Sequence, residues 1–106
     1  MTPDDVRALA LALPEVTEAP HHGRPSFRLG TTVLATLWDH DTLNVMLDEG
    51  EARAAEGGPC SLLWWGKRLF GVRVDLTGAA PDQVAELLDE AWRRRAPARL
   101  RQSRGA

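Results

Sequence analysis

Two histidines, an arginine and a serine fall within six residues at His21-His22-Gly23-Arg24-Pro25-Ser26. Imidazoles beside a guanidinium and a glycine turn could hold an anion, which makes His21, His22 and Arg24 the ligand-binding candidates. The same two histidines could ligate a metal, but adjacent strand residues point to opposite faces, and no cysteine or acid lies nearby at a metal-site spacing. One buried, hydrogen-bonded imidazole is the structural alternative. A second cluster, Leu63-Trp64-Trp65-Gly66-Lys67-Arg68, sets indoles beside cations. Nucleic-acid surfaces use that combination, with cations on phosphates and rings under bases. Trp65, Lys67 and Arg68 are therefore nucleic-acid candidates, joined by Arg73, Arg93 and Arg94. Neighbouring side chains on an extended chain face apart, so core packing is expected to take at least one of Trp64 and Trp65.

Other reactive residue types suggest less chemistry. Asp39-His40-Asp41 brackets a histidine with carboxylates, yet aspartate's turn-forming habit already explains it. Cys60 follows a proline in a loop with no activating neighbour in sequence, so no thiolate nucleophile is expected. Gly-x-Ser-x-Gly, P-loop and Gly-x-Gly-x-x-Gly patterns do not occur. The expectation is a non-enzymatic protein without metal or cofactor.

The elements that would position these residues follow from periodicity. Thr2, Pro3 and Asp5 form a helix start, and Val6, Leu9, Ala10 and Leu13 recur at helical spacing until Pro14. From 15 to 47 the period falls to two. Val33, Ala35 and Leu37 alternate with Leu34, Thr36 and Trp38; Leu43, Val45 and Leu47 alternate with Asn44 and Met46. Turn residues between these runs predict an antiparallel meander. Asp48 and Glu51 make a capping box for a short helix over 49–56, stopped by Gly57-Gly58-Pro59. Phe70, Val72, Val74 and Leu76 form a half-buried strand with Arg73 and Asp75 opposite. A final helix over 81–96 carries Val84, Leu87, Leu88, Ala91 and Trp92 as its apolar stripe, with Asp89–Arg93 and Glu90–Arg94 as i,i+4 pairs. The whole is a two-layer α+β domain, an antiparallel sheet with helices packed on one face.

Length and charge set the outer bounds. With 106 residues, 43% hydrophobic and 26% charged, there is room for one globular core. The longest apolar run, 8–13, is far below the ~20 residues of a membrane span. The acidic first residues, Met1-Thr2-Pro3-Asp4-Asp5, do not read as a leader, and one cysteine makes no internal disulfide; a cytoplasmic location is expected. The net charge of −2 is uneven: residues 1–90 hold 15 acidic and 7 basic side chains, whereas 91–106 hold six arginines and no acid. That basic end is either a phosphate- or acid-contacting surface or a solvated terminus.

In order and spacing the chain resembles the MmcQ/YjbR family. The carriers are the first helix running into Leu13-Pro14-Glu15-Val16-Thr17-Glu18, then His22-Gly23-Arg24-Pro25-Ser26-Phe27-Arg28 and the strand over 33–38. Trp65-Gly66 with its following strand and the Ala91-Trp92-Arg93…Ala96-Pro97 finish complete the match. The likeness spans about 2–101, read as one domain over 1–101 with a flexible tail over 102–106. It implies a fold similar to secretion-chaperone-like domains and the label of a "double wing" DNA-binding protein; it brings no catalytic residues. Many members have tryptophan where this chain has Phe70, and here the tryptophan is instead doubled upstream at Trp64-Trp65. DNA is the expected partner. The alternative is a protein-interaction or chaperone-like module that holds a peptide or small apolar ligand on an exposed sheet face or in a groove beside Trp64 and Trp65.

Overall fold

The computed structural model describes residues 1–105, in the order α1 (Pro3–Leu11), β1 (Val16–His21), β2 (Arg24–Leu29), β3 (Thr32–Asp39), β4 (Thr42–Met46), α2 (Glu49–Ala55), β5 (Cys60–Trp65), β6 (Arg68–Asp75), α3 (Pro81–Arg95) and α4 (Ala98–Gly105). The six strands form one antiparallel sheet in the order β1-β2-β3-β4-β6-β5, and helices cover one of its faces. The α+β, two-layer expectation therefore holds. No helix among the described residues is long and apolar enough to cross a membrane.

Local chemistry starts the first two helices where the sequence places them. Thr2 and Asp5 form a reciprocal capping box on α1, as do Asp48 and Glu51 on α2, each satisfying backbone N–H groups that a helix start leaves orphaned. Between the helices and the sheet lies one core. Phe27, Ala35, Leu37, Leu43, Val45, Val72 and Val74 from the strands meet Val6 and Ala10 of α1 and Val84, Leu88, Ala91 and Trp92 of α3. Trp92 is the buried indole, 1% exposed, and its Nε1–H donates to the Pro14 carbonyl at 2.9 Å, tying α3 to the turn before β1. Gly71 sits where β6 presses on β4. A Cβ there would lie 1.9 Å from the Val45 carbonyl oxygen, so only glycine permits the approach.

Four details differ from the sequence expectations. Leu34 is buried in the core although its place in the alternation assigns it to the polar face; a register shift between Phe27 and Arg28 lets β3 turn both Leu34 and Ala35 inward. Glu90 and Arg94 do not pair. Arg94 reaches across to α2 instead, 3.6 Å from Glu51 and 3.9 Å from Asp48, while Asp89–Arg93 forms at 2.7 Å. Cys60, read as lying in a loop, is the first residue of a strand, β5. Finally, helical backbone continues through α4 into the stretch read as a tail, with Leu100 buried. Ala106 and the side chain of Arg104, both in the basic end, lie outside the described residues.

Candidate functional site

Cross-strand partners share a face of a sheet, so the register shows which residues line the face without helices. One row runs across all six strands: Ala19, Ser26, Thr36, Asn44, Arg73 and Ser61. Five of these six are polar. Ser26, Thr36 and Asn44 are buried, and the row is knitted together. The Ser26 hydroxyl donates to the Ala19 carbonyl at 2.7 Å and accepts from Arg28 Nε at 3.1 Å; Arg73 Nε donates to Asn44 Oδ1 at 3.2 Å.

Around this row gather three guanidinium groups and an indole. Trp38 is 41% exposed. Arg24 lies with its guanidinium carbon 3.8 Å from the Trp38 ring centroid and donates through Nε to the Trp38 carbonyl at 2.7 Å. Arg73 approaches the same ring at 5.5 Å. Both distances are within cation–π range. Arg28 reaches the Pro20 carbonyl at 2.9 Å and stands 3.5 Å from His21 Nδ1. Asp39 is the nearby counter-charge. The Asp41 backbone N–H holds its carboxyl below the usual carboxylate range, helped by the Thr42 hydroxyl and, more weakly, by Arg73.

His21 and His22 meet because of a turn. His22 and Gly23 both have positive φ, +52° and +79°, the two-residue connection whose twist matches paired strands. His22 is thus a turn residue rather than the next strand position, and the two rings touch edge to face at 4.5 Å. The face-apart expectation fails for that reason. Among the described residues no group of three or more His, Cys, Asp or Glu could hold a metal ion.

The six nucleic-acid candidates do not assemble as one surface. Arg73 belongs to the open face. Trp65, Lys67 and Arg68 occupy the β5–β6 turn, where Arg68 lies 5.1 Å from the Phe70 ring. Arg93 and Arg94 stand on α3, each beside a carboxylate. Neither Trp64 nor Trp65 is buried, at 46% and 78% exposure, so core packing takes neither. The reason is position: β5 is an edge strand, and Trp92 already fills the core. Trp38 and Arg28, missed as site residues, had one sequence signal. Trp38 falls in phase with Thr36, opposite to the apolar Ala35 and Leu37, so the strand pattern itself assigns the indole to the polar face.

The helix layer has the opposite electrostatics. A cleft of about 310 Å³ between α2, α3 and β5 is lined by Glu51, Glu86 and Glu90, with Cys60 and Gln83 beneath. Burial, then the charge and hydrogen bond of Glu51, pushes the Glu90 carboxyl up. Burial likewise pushes the Cys60 thiol up, and Gln83 Nε2 donates to its sulfur at 3.7 Å, an inert arrangement.

The YjbR family profile matches residues 11–94, from the end of α1 to the last turn of α3. No curated protein and no solved structure matches the chain at a significant level.

Proposed function

The chain belongs to the YjbR family, and on that premise we propose that it is a non-enzymatic nucleic-acid-binding domain whose open sheet face takes a single-stranded segment. Arg24, Arg28 and Arg73 neutralise phosphates, and Trp38 offers an aromatic surface to a base. One observation carries this. Of the seven helix arginines whose side chains are described, Arg7, Arg53, Arg93, Arg94 and Arg99 pair with a carboxylate, while Arg95 and Arg101 donate to backbone carbonyls; of the four strand arginines, Arg24, Arg28, Arg68 and Arg73, none pairs with a carboxylate. Arg24 and Arg73 flank the exposed Trp38 indole of the open face, and Arg28 stands beside Ser26 in the same row. A flat sheet suits splayed-out bases better than a duplex groove, because it presents rings and cations side by side without a projecting helix.

The test is anisotropy of labelled single-stranded and duplex oligonucleotides at low salt, with the unaltered chain and with Trp38→Ala and Arg73→Ala. Loss of a stacking ring costs about 1–3 kcal/mol per base, so Trp38→Ala should weaken single-strand binding roughly five- to 150-fold. Absence of binding to every DNA and RNA oligonucleotide at 20 mM salt (about a tenth of physiological) refutes the proposal. Preference for duplex refutes the single-strand assignment alone.

A further inference from the structure

The two edges of the sheet differ. On β1 the edge is blunted: Pro20 has no N–H to offer, its carbonyl already accepts from Arg28, and Glu18 adds a charge that pairs with Arg7. On β5, Cys-Ser-Leu-Leu-Trp-Trp contains neither charge nor proline. Such an edge is a template for another strand.

Hydrogen bonds fix which β5 residues face outward. Asp75 N–H donates to the Pro59 carbonyl at 2.8 Å, which makes Pro59–Asp75 a bonded position and, two residues on, Ser61–Arg73 the next. The register shift between Leu63 and Trp64 puts its extra residue, Phe70, on β6 and leaves the alternation of β5 unbroken, so Cys60, Leu62 and Trp64 aim their backbone groups away from β6. Cys60 is satisfied by Gly57, through bonds of 2.9 Å in both directions. Leu62 and Trp64 remain, each with an N–H and a C=O toward solvent.

We infer that β5 pairs with β5 of a second copy of this chain, antiparallel about a two-fold axis through Leu63. Two free residues spaced symmetrically about Leu63 leave this register as self-complementary: Leu62 bonds to Trp64 of the partner subunit, and Trp64 to the partner's Leu62. An uncharged edge fits itself without repulsion, which favours a second copy over an acidic or basic partner strand. Cross-strand pairs share a face, so Trp64 covers the partner's Leu62, while Trp65 crosses over the partner's Ser61 on the open face. The two most exposed tryptophans of the chain both gain cover, and the two open faces become one twelve-stranded surface. A two-fold pairing of this kind is the commonest form of homo-oligomer.

The register makes the test sharp. Leu63 faces Leu63 of the partner subunit at a non-hydrogen-bonded position, where Cα atoms lie about 4.5 Å apart, inside disulfide range. Residue 61 faces residue 65, so two copies of position 61 are separated by four residues, roughly 13 Å. Under mild oxidation, Leu63→Cys should give a covalent dimer in non-reducing electrophoresis and Ser61→Cys should not; buried Cys60 is present in both and in the unaltered chain as the baseline. Sedimentation velocity of the unaltered chain up to about 500 μM, well above the micromolar constants of small interfaces, should show a species of twice 11.7 kDa. Trp64→Lys, at an exposed position, should return it to monomer with an unchanged circular dichroism spectrum. A monomer throughout that range, equal cross-linking at positions 61 and 63, or a Trp64→Lys dimer each overturns the inference.

Discussion

Trp38 and Trp92 share a side-chain type and take opposite tasks, and the difference lies in what each ring can hydrogen-bond and touch. The Trp92 ring is surrounded by core, and its N–H finds the Pro14 carbonyl. The Trp38 ring is met by two guanidinium groups and is otherwise exposed. Trp92→Phe should therefore destabilise the fold through lost volume and through removal of the donor to Pro14, together about 2–4 kcal/mol. The urea midpoint reads the change, and a loss under about 1 kcal/mol would show that the bond between α3 and the β1 turn contributes little. Binding by any folded fraction should be unaffected, since Trp92 lies on the helix side of the sheet. At this scale the sequence is legible only in part. The stripe of Val84, Leu88 and Trp92 at helical spacing reveals the buried indole, and strand phase places Arg73. Nothing in His21-His22 reveals that the second histidine adopts positive φ, because that depends on the pairing of β1 with β2.

Among the elements, those with their own start and stop chemistry could be read in advance. The capping boxes at Thr2–Asp5 and Asp48–Glu51 are local, and so is the two-residue period of β3 and β4. The strand β5 could not be, since an edge strand beside a hairpin reads as an apolar run without alternation. The helix α4 lacks an apolar stripe, and its one buried anchor, Leu100, says little alone. How α2 meets α3 also lies beyond local sequence, and it has a titratable consequence. Arg94 bridges Asp48 and Glu51 while Glu90 crowds Glu51. The folded-state pKa of Glu90 stands above its ordinary 4.5, so the folded protein holds this proton more tightly than the unfolded chain. Its favourable contribution is thus complete below that ordinary value and is lost as pH rises through the raised one. Glu90→Gln keeps the hydrogen bond without the charge. At pH 7 the variant should be more stable by a few tenths of a kcal/mol, the size of a like-charge pair on a helix surface. By pH 4 the difference should vanish. Equal differences at both pH values in paired urea titrations would remove proton sharing between Glu51 and Glu90 as the cause.

Most ion-paired arginines stand on the helices and the unpaired strand arginines on the sheet, a division that makes the proposed polyanionic ligand compatible with a net charge of −2. Five helix arginines are neutralised where they stand, and the acidic cleft is lined by α2 and α3 on the helix side of the sheet, away from the strand guanidinium groups. The sheet and its core separate the two layers by about 10 Å, comparable to the screening length of ~8 Å at physiological ionic strength. Repulsion from the helix layer is therefore damped at the open face, while contact between arginine and phosphate is not. Three arginines releasing counterions from a single strand give an expected slope of log K against log salt near −0.7 for each, so about −2 in total. Arg73→Ala should flatten that slope by about 0.7 at every oligonucleotide sequence, as phosphate contacts carry no sequence preference. Trp38→Ala should lower affinity and leave the slope unchanged, since stacking releases no counterions. A slope steeper than about −4 would mean that more cations than the open face holds take part, and would shift the interface toward Lys67, Arg68 and the basic C-terminal helices. Arg93→Glu would then reduce binding, whereas the open-face arrangement predicts that it has no effect beyond losing the ion pair with Asp89.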